Sequence, residues 1–148
     1  MTAWHEGGCL CGAVRYRVTS APQVSCYCCC ATCQGATGAP AVSWIAVEDA
    51  GFAILAGTPV DYESSPGVMR SFCGRCGTAL TYRNPGYPDD RFQTASLVAI
   101  ASITLDDPEA FPPTEVFHGD ELPSWLPPHR LCPEGRHHHT GKRDDAEA

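Results

Sequence analysis

A chain of 148 residues with 43% apolar and 18% charged residues, 14 Gly and 13 Pro has the size and make-up of one turn-rich globular domain and excludes a coiled coil. Ten Lys and Arg stand against 17 Asp and Glu, a formal charge of -7, so neither nucleic acid nor an anionic membrane is an expected partner. No stretch approaches the ~20 apolar residues of a membrane helix, and MTAWHEGGCLCGAV has no basic patch leading into an apolar run, so a cytoplasmic setting is expected.

In chain order, Ala13–Val18 alternates apolar Val14, Tyr16 and Val18 with Arg15 and Arg17, the period-two pattern of a half-buried strand. Ala41–Val47 is an apolar run around Trp44. Val68–Phe72 and Thr78–Tyr82 flank a cysteine turn, and Phe92–Leu105 is rich in Thr, Val, Ile and Ala. Helical pattern is confined to a turn after Cys33 and another around Pro108–Phe111. The expected fold class is therefore mainly β, built of hairpins in a single domain over residues 1–126. Residues 127–148, opening on Pro127-Pro128 and ending in polar residues, are expected to be a disordered C-terminal tail.

Ten cysteines decide the chemistry. In a reducing compartment clustered cysteines are metal ligands or redox centres more often than disulfides. Gly7-Gly8-Cys9-Leu10-Cys11-Gly12 and Phe72-Cys73-Gly74-Arg75-Cys76-Gly77 supply four thiols on two glycine-flanked turns. Four thiolates close the coordination sphere of Zn²⁺, which makes a structural site that pins one hairpin to a later one. The bland reading is four buried thiols. Cys26-Tyr27-Cys28-Cys29-Cys30-Ala31-Thr32-Cys33 contains C-x-C-x2-C in Cys28, Cys30 and Cys33. Three ligands leave zinc a fourth position, the arrangement of a catalytic ion. Two alternatives stand beside it: Cys26 or Cys29 closes a second structural site, or the cluster holds iron and sulfur, although the usual ferredoxin spacings are absent.

GGCLCGAVRY, CxCxxC with a following TGAP, and FCGRCGTAL together resemble the glutathione-dependent formaldehyde-activating enzyme family, also called the Gfa or CENP-V/Gfa domain. LDDPEAFPPTEVF and PSWL are similar to its C-terminal half. The resemblance implies an Mss4-like, zinc-stapled β-tent with two zinc ions per chain. It places structural zinc on Cys9, Cys11, Cys73 and Cys76, and catalytic zinc on Cys28, Cys30 and Cys33. It also implies a carbon–sulfur lyase that joins glutathione and formaldehyde into S-hydroxymethylglutathione. The family motif reads CHCxxCR; here Cys29 stands at the His and Gln34 at the Arg. Gln in place of Arg removes a cation and its fork of donors, which the carboxylates of glutathione would use.

On this reading a zinc-held thiolate attacks an aldehyde carbon, and a small thiol such as glutathione and a small aldehyde are the partners. His118 and His129 are the general-base candidates by residue type alone, each better read as a surface or structural histidine. Arg15 and Arg17 are read as solvated charges, Trp44 and Trp125 as core, and Tyr27 as a pocket or cover residue. Cys132 and His137-His138-His139 are read as incidental tail residues. The rival function is noncatalytic: a glutathione carrier or a zinc-stapled binding scaffold.

Overall fold

A computed structural model describes residues 3–85 and 96–138. In chain order its elements are β1 (His5–Gly8), β2 (Arg15–Val18), β3 (Val24–Cys28), α1 (Ala31–Thr37), β4 (Val42–Glu48), β5 (Phe52–Ala56), β6 (Val60–Ser65), β7 (Val68–Phe72), β8 (Ala79–Arg83), β9 (Leu97–Ala101), β10 (Glu115–Phe117) and β11 (Arg136–His138). The chain is mainly β, as expected. It divides into two compact units, residues 1–25 with 44–112 and residues 26–43 with 113–148. Because each unit draws on two separated stretches, no single cut of the chain isolates either, and the chain is a single domain in sequence.

In the first unit β1 and β2 form an antiparallel hairpin, with His5 opposite Val18 and Gly8 opposite Arg15. β2 pairs on its other side with β5. The alternation in β2 is realised: Tyr16 and Val18 are buried, while Arg15 and Arg17 turn outward. Those arginines meet carboxylates, Arg15 gripping both oxygens of Asp106 at 2.9 and 2.5 Å and Arg17 reaching Glu6 at 2.7 Å. The Arg15 guanidinium holds Asp106 below its usual range. A second sheet runs β4-β9-β8-β7-β6, antiparallel throughout. The core between these strands is Val14, Tyr16, Val18, Ile45, Val47, Leu80, Val98, Ile100 and Leu105 together with Cys9 and Cys73. Full burial of each large aliphatic side chain contributes roughly 1.5–3 kcal/mol.

Gly7 is required by this packing. A Cβ there would stand 2.4 Å from Tyr16 Oη and 2.5 Å from the Thr104 carbonyl oxygen. Tyr16 Oη in turn shares a hydrogen bond with Thr104 Oγ1 at 2.7 Å. The motif glycine thus lets the first hairpin lie against the chain that follows β9. That following segment, Ser102–Thr104, is a 3-10 turn where a continuous strand was expected, and the residues of that expected strand before 96 lie outside the described residues.

The second unit is built differently. β10 runs parallel to the end of β3, with Glu115 beside Cys26 and Phe117 beside Cys28, and β11 runs parallel to β10. Hairpins alone were expected; parallel pairing joins strands far apart in sequence and leaves no turn signal between them. A small core of Cys29, Val116 and Cys132 is flanked by Tyr27, Ala41, Leu122 and Leu131. Residues 127–138, read as tail, carry a 3-10 turn at Pro128–Arg130 and the strand β11. Cys132, read as incidental, is buried, and Trp125, read as core, is 71% exposed. Among the described residues no helix is long and apolar enough to cross a membrane.

Candidate metal centres

None of the ten cysteines is disulfide-bonded. Cys9 and Cys11 sit on the loop joining β1 to β2, and Cys73 and Cys76 on the turn joining β7 to β8. Each turn ends on a left-handed glycine, Gly12 at φ 75 and Gly77 at φ 78, a conformation open to a residue without a Cβ. Each glycine N–H closes its turn on the carbonyl of the first cysteine, Gly12 on Cys9 at 3.0 Å and Gly77 on Cys73 at 2.8 Å. The result brings all four Sγ atoms within 4.8 Å of one another. Cys9 and Cys11 Sγ are 3.6 Å apart, and Cys11 and Cys73 Sγ 3.8 Å. A tetrahedron with Zn–S bonds of about 2.3 Å has edges of about 3.8 Å. The residues present fit that ion in number, donor type and spacing.

Thr78, which sequence reasoning passed over, ties the two turns together. Its Oγ1 accepts from the Leu10 N–H at 3.1 Å and lies 3.2 Å from Cys76 Sγ. The Val14 N–H donates to Cys9 Sγ at 3.2 Å. Hydrogen bonds from Thr78 hold the Cys76 thiol down at about 5. Cys11 goes the other way: the Ala13 N–H lowers it, but burial and the Cys9, Cys76 and Cys73 sulfurs push it up to about 11. Sulfurs this close cannot all ionise without a balancing charge, and a divalent cation among them removes that conflict.

The other set is Cys28, Cys30 and Cys33, whose Sγ atoms also lie within 4.8 Å of one another. Cys28 ends β3, Cys30 is the N-cap of α1, and Cys33 is buried in its first turn. The Cys33 N–H donates to Cys30 Sγ at 3.3 Å, so the helix cap itself orients the Cys30 sulfur. The neighbouring Cys30 and Cys33 sulfurs, with burial, push the Cys28 thiol far up. Neither Cys26 nor Cys29 joins this set. Cys29 is fully buried in the small core, and burial followed by the charges of Cys30, Cys33 and Glu121 raises it to about 11.

Gln34 has a definite task. Its Nε2 donates to the Cys29 carbonyl at 2.8 Å and to the Glu121 carbonyl at 3.2 Å, stitching α1 to the loop after β10. Glu121 completes the stitch, one carboxylate oxygen accepting from the Ala31 N–H at 2.7 Å and the other lying 3.0 Å from His118 Nδ1. No spacing signal in the sequence pointed to Glu121. Of the other candidates, Tyr27 packs on the small core, His129 is exposed in its 3-10 turn, and His137 Nε2 meets the Cys132 carbonyl at 3.1 Å. His138 lies in β11, and His139 lies outside the described residues.

Residues 4–120 match the family model described as glutathione-dependent formaldehyde-activating enzyme. A Halomonas elongata protein with the provisional name glutathione-dependent formaldehyde-activating enzyme is 35% identical over 95 residues, 57% of this chain; the match spans 59% of that relative's length. The crystal structure of a Rhodobacter sphaeroides protein matches with a TM-score of 0.54 at 17% identity, covering 68% of this chain and 87% of the other, a likeness of fold. With the family model spanning both cysteine groups, this chain belongs to the glutathione-dependent formaldehyde-activating enzyme family.

Proposed function

We propose that the chain is a zinc-dependent, carbon–sulfur lyase-like enzyme that interconverts a thiol and a small aldehyde with their hemithioacetal. Glutathione and formaldehyde, giving S-hydroxymethylglutathione, are the substrates its family suggests. The observation that carries the reading is the three-sulfur set of Cys28, Cys30 and Cys33, one donor short of the closed four-sulfur set of Cys9, Cys11, Cys73 and Cys76. Two zinc ions per chain belong to the reading, a structural one on the four cysteines and a catalytic one on the three. Zinc held by three thiolates offers a fourth position in which a substrate thiol is kept as thiolate at neutral pH.

The protein's own residues supply geometry. The α1 cap and the end of β3 hold the three sulfurs in one place, so thiol and aldehyde meet as if in one molecule, and that proximity replaces an unfavourable bimolecular encounter. In the addition, the S–H bond of the thiol breaks, a C–S bond forms, and the carbonyl oxygen takes the proton. No oxidant or reductant is involved. Ten unbridged cysteines suit a reducing compartment, so a cytoplasmic setting goes with the reading.

Gln34 favours a second reading. Where the family motif has Arg, Gln34 is occupied by the Cys29 and Glu121 carbonyls, and no cation is offered there to a glutathione carboxylate. A zinc-stapled scaffold, or a carrier or enzyme for a thiol without those carboxylates, needs none. The test is elemental zinc content of the wild type and Cys30→Ser, together with the rate of adduct formation from glutathione and formaldehyde. Two zincs falling to one, with acceleration lost, supports the enzyme. Two zincs and a tightly bound thiol without acceleration supports the carrier, and one zinc in the wild type defeats both.

A further inference from the structure

Four observations converge on His118. First, β10 delivers it to the cysteine loop: Phe117 lies beside Cys28 in the parallel register, and the Phe117 carbonyl accepts from the Cys29 N–H at 3.0 Å. Second, the backbone turns sharply at this residue, which is left-handed at φ 56 and, among the described residues, is the one non-glycine with positive φ. Such a conformation is uncommon outside glycine, although histidine is among the residues that tolerate it best. Third, its Nδ1 lies 3.0 Å from Glu121 Oε1. Fourth, the other oxygen of that carboxylate accepts from the Ala31 N–H at 2.7 Å, the amide directly after Cys30. One carboxylate therefore spans from the imidazole to the helix start that carries Cys30 and Cys33.

A carboxylate on one ring nitrogen sets the tautomer. With Nδ1–H donated to Glu121, Nε2 is the acceptor nitrogen of the imidazole. Glu121 is itself fixed by Ala31 and, through its carbonyl, by Gln34, so the pair is held on the same scaffold as the cysteines. This is the acid–base pair that a thiol addition needs, with its orienting group in place.

We propose that His118, oriented by Glu121, is the proton carrier of the reaction. It takes on Nε2 the proton that the incoming thiol gives up on becoming a thiolate, and delivers that proton to the former carbonyl oxygen as the C–S bond forms. One proton leaves sulfur and one arrives on oxygen, so the imidazole is regenerated. The inference rests on the enzymatic reading above. Glu121 acts through His118 and is a positioning residue.

The test compares the wild type with His118→Gly and Glu121→Gln in adduct formation from glutathione and formaldehyde, following kcat and KM separately. Glycine accepts φ 56, so the backbone turn survives and the imidazole alone is removed. Loss of a general base costs about 100-fold or more in kcat. His118→Gly should lose about that much with KM within a few-fold, and added imidazole should restore at least about tenfold of it, a recovery that repair of a merely structural defect does not give. Glu121→Gln, whose amide oxygen still accepts from Ala31, should lose about tenfold and show no imidazole response. Circular dichroism and zinc content, unchanged from wild type, establish that the variants fold. Wild-type kcat in His118→Gly, or a loss that imidazole does not relieve, overturns the role of His118 and leaves the enzymatic reading standing. A wild type that fails to accelerate the reaction overturns both.

Discussion

The two cysteine groups use the same donor and solve opposite problems. Cys9, Cys11, Cys73 and Cys76 come from two hairpin turns of similar design, each ending on a left-handed glycine, and meet as a closed set of four within the first unit. Cys28, Cys30 and Cys33 come from one short stretch of chain where a strand gives way to a helix, and the set stops at three. The first group joins residues some sixty positions apart, the separation of Cys11 and Cys73 being 62. The second joins residues already neighbours in sequence and adds little constraint to the unfolded chain. A cross-link stabilises by what it denies the unfolded state, so stability should concentrate in the first group and reactivity in the second.

The sharpest way to break this comparison is to remove one sulfur from each group. Cys73→Ser should abolish folding, because structural zinc in small domains contributes about 10–16 kcal/mol, as much as a whole domain's stability. Loss of amide dispersion in NMR spectra is the expected sign, and a folded variant retaining its full zinc content would refute the division. Cys30→Ser should stay folded with one zinc lost. Serine is a good N-cap, so the Cys33 N–H keeps an acceptor and α1 keeps its start. A Cys30→Ser chain that unfolds would show that the second group is structural as well.

Thr78→Val sharpens the comparison at intermediate cost. It removes the acceptor of the exposed Leu10 N–H and the hydroxyl beside Cys76, for about 1 kcal/mol as read by urea unfolding, and should hasten zinc release from the first group only. The smallest effect is expected at Asp106→Asn, where a partly exposed pair with Arg15 is worth less than about 1 kcal/mol. The sign with pH follows from the lowered Asp106 value. An acid whose folded value is depressed contributes stability above its ordinary value of 3.8 and loses it as pH falls through the lower one. Wild type and Asp106→Asn should therefore differ at pH 7 and converge in the acid range below 3.8, as read by thermal melts.

How much of this was legible in the sequence depends on whether the relevant contact is local. The cysteine groups were legible because a metal's geometry forces ligands and glycines into short, fixed spacings. The strands β2, β4, β7 and β8 were legible from alternation or from flanking a turn, with ends shifted by no more than two residues. The parallel pairing of β3, β10 and β11 was not, since the partners are remote and β3 hides its alternation inside a run of cysteines. Thr78 and Glu121 act on backbone N–H groups far along the chain, and a sequence pattern records nothing of such contacts. Trp125 misled because size and apolarity suggest burial, whereas its place in the Pro-rich loop leaves it 71% exposed.

The stitch at Glu121 also has a consequence in time. Ala31 and Glu121 are 90 residues apart. At translation rates of about 5–20 residues per second, roughly 5–18 s separate the emergence of Cys28, Cys30 and Cys33 from that of the carboxylate and of β10, which complete their surroundings. During that interval the three thiols sit on a nascent chain without β10 beside them. The surroundings of this group are thus completed late, whereas the first group, whose members fall within the first 76 residues, can come together while the rest of the chain is still being made.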